Sequence, residues 1–436
     1  MVLPVAFLSD LEGSLAKLAD FCARHPAFER GADGRVHLRD GWIFVHGGDA
    51  PDRFLGSMSV VDELLRLKQE APDRVVLIAG NRDVNKLRLP LELSTAALDR
   101  DPIDLPEDWR AAVDQEVVAA GQRATPADVT ADDRRRWTTQ PRRLRWIFRR
   151  TMGAAEAFEL RRRELTQASR ETGDEAVVAS FLEDLGPGGR FRRFLEASCL
   201  LHRVGNTLYT HAGLTEENLG VVPGRGRAGS VDEWIAAINA WYLTQLAQWR
   251  DGQGRWDAHG ERPGEALIRY CQPLPRTKVN QASVVYSRNA DEQGKIALPA
   301  APVVKAMLDA GIRRVAVGHT PSGDIPVLLR TPGDDFELVV ADTSRSTAPD
   351  EAALVTIEGG RQERVEVRSG PHGVDGRPVA FRSRLGAPSL LGKRLPDGAV
   401  VVAPEERGYL TYQLGPGWKV LYGEVAGPCA DGIELL

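Results

Sequence analysis

Five times along this chain a short, continuous apolar run stops abruptly at a cluster of polar residues. Val5-Ala6-Phe7-Leu8 halts at Ser9-Asp10, Trp42-Ile43-Phe44-Val45 at His46-Gly47-Gly48-Asp49, and Val75-Val76-Leu77-Ile78 just ahead of Gly80-Asn81-Arg82-Asp83. Thr207-Leu208-Tyr209 precedes His211, and Val315-Ala316-Val317 precedes Gly318-His319-Thr320-Pro321. Runs of this length suit strands buried on both faces, with helices packed against them. Leu15 to Ala23, Ser59 to Gln69 and Val303 to Ala310 supply such helices, each carrying apolar residues at three- and four-residue spacing. An α/β sheet is expected, and in such sheets ligands gather at the carboxyl ends of strands, where every one of these clusters falls.

The sheet pattern is interrupted twice, at residues 88–200 and 215–282, and both insertions read as mainly helical. They are expected to form a cap. From residue 368 to 436 the chain turns rich in Gly and Pro, with short β-like runs at Ala399 to Ala403, Gly408 to Tyr412 and Lys419 to Tyr422, predicting a small C-terminal β module. The core then comprises residues 1–87, 201–214 and 283–367.

Lys+Arg 56 against Asp+Glu 61 leaves a net charge of -5, so the molecule offers no global attraction to nucleic acid or an anionic membrane. Eleven arginines between Arg134 and Arg163, with Trp137, Trp146 and Phe148 among them, read as a solvated amphipathic cap helix rather than a nucleic-acid surface. Trp234, Trp241 and Trp249 follow helical spacing and read as packing. The four cysteines, Cys22, Cys199, Cys271 and Cys429, are far apart and form no C-x-x-C, which argues against a disulfide framework and favours a reducing cytoplasm. No apolar run approaches the roughly 18 to 20 residues of a membrane span, and Met1 to Leu8 reads as a strand rather than a leader.

The chemistry lies in the polar clusters. Asp10 and Glu12 stand two residues apart at a strand end, which would project both carboxylates to one side, where one cation could bridge them. Asp49 follows Gly47 and Gly48, and Asn81 comes 32 residues later, a separation that suits one βαβ crossover and would set it beside Asp49. Imidazoles from His211 and His319 beside carboxylates are the ligand mixture expected of a borderline divalent metal. Two such ions, roughly 3.5 to 4 Å apart, could activate a water and clamp the oxygens of an in-line phosphoryl displacement.

In this order the motifs Asp10-Leu11-Glu12-Gly13, Gly48-Asp49-Ala50-Pro51-Asp52-Arg53, Gly80-Asn81-Arg82-Asp83, Thr210-His211-Ala212-Gly213 and Gly318-His319-Thr320-Pro321 resemble those of the calcineurin-like metallophosphoesterases. The likeness is nearest to the phosphoprotein phosphatase branch and its bacterial members, and it spans residues 5 to about 345 outside the insertions. The resemblance implies an α/β/β/α sandwich and two divalent ions, manganese foremost, with iron, magnesium or zinc as alternatives. By position, the first ion would take Asp10, Glu12 and a bridging Asp49, and the second Asp49, Asn81, His211 and His319. Arg53 and Arg288, the latter within Tyr286-Ser287-Arg288, match phosphate clamps, with Asn81 also facing phosphate. Asp52 matches a carboxylate that orients the catalytic group after Asn81.

Two positions depart from the family pattern. Glu12 stands where the family has histidine, making the first site harder and more anionic. Arg82 replaces the histidine that protonates the leaving group, and a guanidinium, charged to about pH 12 and beyond, is a poor proton donor. Either the leaving group needs little protonation, as in a phosphoanhydride or aryl phosphate, or Asp83 or His46 acts as a substitute acid. The resulting expectation is a cytoplasmic metal-dependent phosphoesterase acting on a small metabolite or nucleotide. A protein Ser/Thr phosphatase and a catalytically silent metal- or phosphate-binding module are the alternatives.

Overall fold

The apolar runs become the strands of two facing sheets. In the first, Val5–Leu8, Ile43–His46 and Val75–Ile78 lie side by side and parallel, and Ser198–Cys199 continues beside the last. On the other flank Leu354–Glu358, Arg364–Arg368, Ala380–Arg384 and Ile433–Leu435 add in antiparallel fashion. The second sheet runs Val327–Arg330, Glu337–Asp342, Arg314–Pro321, Thr207–Thr210, Leu201–Val204, and its three middle strands are parallel. Every residue of Val5–Leu8, Val75–Ile78 and Arg314–Pro321 is buried, which is why those segments carry no alternation. Phe7 meets Tyr209 across the two sheets with ring centroids 5.5 Å apart.

The computed structural model describes residues 2–436 apart from 253–261, 275–278, 292–294, 361–362, 371–372, 388, 416–418 and 428–431. The expected helices form at Leu15–Arg24, Ser57–Glu70 and Ala301–Asp309. Each turns its apolar stripe inward: Phe21 of the first packs 6.0 Å from Phe44, and Val303, Val304 and Met307 of the last are buried. Cys22, Cys199 and Cys271 are free thiols, whereas Cys429 falls outside the described residues. No described helix is long and apolar enough to cross a membrane.

Between Leu89 and Glu196 the chain is helical, including Pro106–Ala119, Gln140–Arg150, Ala157–Gln167, Asp174–Leu185 and Arg190–Glu196. Eight of the eleven arginines from Arg134 to Arg163 sit in ion pairs, such as Arg161 with Asp184 and Arg145 with Asp174. Arg143 also lies over Trp109, 4.5 Å from its ring centroid. Most of the segment's charge is thus matched by acidic residues of the same helical insertion. Glu164 docks this layer on the core by accepting the Gly56 and Met58 N–H groups at 2.9 and 3.1 Å.

The second insertion contributes the long helix Val231–Asp251, which buries Trp234, Trp241 and Trp249, and the short helix Glu265–Tyr270. Its stretches 253–261 and 275–278 lie outside the described residues. The C-terminal segment is β-rich and tied to the core at two places. Ala380–Arg384 and Ile433–Leu435 extend the first sheet, while Val400–Glu405, Gly408–Leu414 and Val420–Ala426 form a separate antiparallel sheet. That sheet braces the turn behind His319: the Tyr412 hydroxyl donates to the Pro321 carbonyl at 3.4 Å, and the Asp324 N–H donates to the Tyr422 hydroxyl at 2.9 Å.

Candidate metal centre

Five of the ten described non-glycine residues with positive φ belong to the polar clusters: Asp10 (52°), Glu12 (46°), Asp49 (55°), Asp52 (105°) and His319 (61°). L-residues in this region store roughly 1 kcal/mol or more each, so such clustering marks a place where the surroundings dictate the backbone. The dictating contacts are visible. Asp10 N–H donates to Gly48 O at 3.0 Å, and Glu12 N–H to Asp49 O at 2.9 Å, lacing the first two strand-end loops together. The strand expected to stop at Val317 instead continues to Pro321 through a register shift, and this bulge turns His319 inward. Gly318 is required there, because a Cβ would collide with Ser9 Oγ and Asp10 Oδ2.

Asp49, His211 and His319 bring one ligand atom each within 4.8 Å of one another, all from buried side chains. His211 Nδ1 lies 2.8 Å from the Gly47 carbonyl, which can only accept, so Nδ1 carries a proton and Nε2 is the atom turned toward the other ligands. That Nε2 faces Asn81 Oδ1 at 3.1 Å and Asp49 Oδ1 at 3.4 Å. His319 Nε2 is buried with no hydrogen-bond partner among the described residues. Burial, then the charge of His211, Arg288 and Arg82, holds His319 well below its ordinary pKa, leaving its ring neutral. The Nε2 atoms of both histidines and the Asp49 and Asn81 oxygens therefore converge on one buried point, an arrangement that a cation would satisfy. Mixed oxygen and imidazole donors suit a divalent transition ion.

The first-cluster carboxylates behave differently from expectation. Asp10 and Glu12 lie beyond the strand, which ends at Leu8, so strand alternation does not aim them. Asp10 accepts from Ser9 Oγ at 2.5 Å and from the His319 N–H at 3.2 Å. Burial, reinforced by Asp342 and Asp49, raises its pKa well above the carboxylate range, another sign of surplus negative charge. Glu12 instead meets two guanidiniums: Arg53 at 2.5 Å on Oε2 and Arg82 at 2.9 Å on Oε1. Arg82 Nε is also 3.3 Å from Asp49 Oδ2, its backbone N–H donates to Asp49 Oδ1 at 2.9 Å, and its Nη1 donates to the Met152 carbonyl of the first insertion at 3.1 Å.

Asp52 does not orient the group after Asn81 through its side chain; its carboxylate pairs with the buried Lys86 ammonium, which also donates to the Arg82 carbonyl at 2.9 Å. The Asp83 carboxyl is wholly buried and accepts the N–H groups of Asp49, Ala50 and Gly80, and burial, then the charge of Asp49, raises its pKa to about 7. His46 is also fully buried, packed edge-on to Phe194, and burial pushes its pKa down to about 3.

Arg288 is half-buried near Asp342 and His319, and the Tyr286 ring stands 5.0 Å from the His319 ring. Lys17, Lys86, Asp342 and Arg345 went unread in the sequence. Asp342 carried the same signal as the other clusters, since Leu338-Val339-Val340-Ala341 ends at Asp342-Thr343-Ser344. Lys17 sits one position from the apolar stripe of its helix, and its buried ammonium donates to the Asp10 carbonyl at 3.3 Å. Partial burial and then the like charge of Arg53 lower the Arg345 pKa.

No family model and no curated protein sequence matches the chain. Among solved structures, a cold-active protein-tyrosine phosphatase of a psychrophilic Shewanella is 15% identical, covers 87% of this chain and 80% of its own, and aligns with a TM-score of 0.43. A protein serine/threonine phosphatase from Saccharomyces cerevisiae is 10% identical over 81% and 72%, with a TM-score of 0.34. A metallophosphoesterase from Sphaerobacter thermophilus is 10% identical over 87% of each chain, with a TM-score of 0.24. At such identities and scores the chemistry of this chain rests on its own residues.

Proposed function

We propose that this chain is a metal-dependent phosphoesterase that hydrolyses a phosphate ester or anhydride carried by a small metabolite or nucleotide. The observation that carries the reading is the convergence of Asp49, Asn81, His211 and His319 ligand atoms on one buried point flanked by arginines. A divalent ion held by these four, manganese foremost, would supply an acidified water and a positive charge for a phosphoryl oxygen. Arg53 and Arg288 would hold the remaining phosphoryl oxygens through their planar donors, and Arg82 would oppose charge developing in the transition state. Asp83 and Lys86 would act indirectly, the first by fixing the Asp49 and Gly80 backbone, the second by neutralising Asp52 and holding the Arg82 carbonyl.

The absence of a proton-donating side chain at position 82 favours a substrate whose leaving group departs as a stable anion. About 180 residues of insertion, anchored on the core by Glu164 and on Arg82 by the Met152 carbonyl, favour a small molecule over a folded phosphoprotein. The test compares an aryl phosphate, a nucleoside triphosphate and a phosphopeptide as substrates in added Mn²⁺, for wild type and Asp49→Asn. Turnover of the first two, lost in the variant, is expected. Preference for the phosphopeptide would reassign the substrate, and bound metal with no turnover on any of the three would leave a binding module instead.

A further inference from the structure

The two positions that depart from the family pattern are in contact, and their pairing changes the metal count. Glu12, one expected ligand of a first ion, gives one carboxylate oxygen to Arg53 and the other to Arg82. The Arg82 Nε in turn reaches Asp49 Oδ2, the oxygen that a bridging carboxylate would give to that ion. We propose that this chain binds one divalent ion, at Asp49, Asn81, His211 and His319, and that the Arg82 guanidinium occupies the role of a second. The inference rests on the metal-dependent reading above and deepens it.

Charge and geometry agree. Asp10, Glu12, Asp49 and Asp342 act on one another through a buried space, and Arg53, Arg82 and Lys17 already stand among them. Arg345 acts on Glu12 and Asp342 as well, so four fixed cations face four carboxylates and one divalent ion already leaves a positive excess suited to an anionic substrate. A second divalent ion would have to approach at least two guanidiniums and displace Arg82 from both carboxylates. Arg82 is not free to withdraw, because its Nη1 donates to the Met152 carbonyl and its backbone N–H donates to Asp49 Oδ1. The remaining donors are already arranged for one ion: only Asp49, His211 and His319 form a ligand group among the described residues.

The test counts Mn²⁺ bound per chain after chelator treatment, by equilibrium dialysis with elemental analysis, in wild type, Glu12→Gln and Arg82→Met, each checked for folding by circular dichroism. The expected counts are one, one and two. The spectrum of bound Mn²⁺ in wild type should be that of an isolated ion, without the exchange coupling of a bridged pair. Two ions in wild type, falling to one in Glu12→Gln, would overturn the proposal while leaving the phosphoesterase reading intact. No ion in wild type would overturn both. Should Arg82→Met fail to fold, the wild-type and Glu12→Gln counts still decide.

Discussion

Glu12 Oε1 and Arg82 Nε lie 2.9 Å apart with both side chains largely buried, so the two unusual residues of the site answer each other. Either alone would be costly: a carboxylate without its cation, or a guanidinium placed against the metal ligands. Glu12→Gln should therefore destabilise the chelator-treated protein by about 3 kcal/mol, the low end for breaking a buried pair, since Arg82 keeps Asp49 and Met152. The double variant with Arg82→Met should cost less than the sum of the singles, by roughly 1 to 3 kcal/mol. Denaturant unfolding checks this. An unchanged or stabilised Glu12→Gln would mean that Glu12 is an unpaired ligand after all.

The Lys86–Asp52 pair is buried on both sides, with side-chain exposures of 0% and 2%. Replacing Lys86 by Met strands a charge inside the protein, and a loss of about 3 to 5 kcal/mol is expected. Asp52→Asn in the same background should recover much of it. If Asp52 worked on substrate, the double variant would regain stability and still lose turnover well beyond the effect of Lys86→Met, which would restore the role given to it by resemblance.

With arginine in place of the acid, rates should follow the leaving group closely. A general acid contributes roughly 10²- to 10⁴-fold, so alkyl monoesters should be hydrolysed at least about 100 times more slowly than aryl phosphates. Steady-state kinetics on a series of leaving groups measures this, and equal rates would point to a proton donor elsewhere in the site.

His25, away from the metal centre, links stability to pH. Its Nδ1 accepts the Ala27 N–H at 3.1 Å and its Nε2 meets Thr356 Oγ1 at 3.1 Å, and burial lowers its pKa from 6.5 to about 4. The neutral ring is the native form, so its contribution is complete above pH 6.5 and is lost as pH falls towards 4, amounting to about 3 kcal/mol. His25→Asn should flatten the unfolding free energy over that window by this amount. Parallel pH profiles for wild type and variant would show that the folded ring takes up its proton as readily as the unfolded one, against expectation.

The strands and their order of use were legible because burial on both faces writes itself as uninterrupted apolar runs. The same signal found Asp10, Asp49, Asn81, His211 and His319 at strand ends, and would have found Asp342. What the runs cannot carry is side-chain direction past the strand. The left-handed backbone at Asp10 and Glu12 and the bulge at His319 are imposed by contacts between distant loops, such as Asp10 N–H with Gly48 O. Ion-pair partners were equally hidden. Lys86 claims Asp52 from 34 positions away, and Arg82 selects Glu12 across two loops, so the roles assigned by motif alone shifted once the charges could be matched in space.

The most direct test of metal-dependent hydrolysis is turnover of an aryl phosphate by chelator-treated protein before and after Mn²⁺ is restored, with Asp49→Asn alongside. The account predicts little activity without metal, recovery on adding Mn²⁺, and a loss on the order of 10³-fold in the variant at the same metal concentration. Equal turnover with and without metal, or an Asp49→Asn variant as active as wild type, would contradict it.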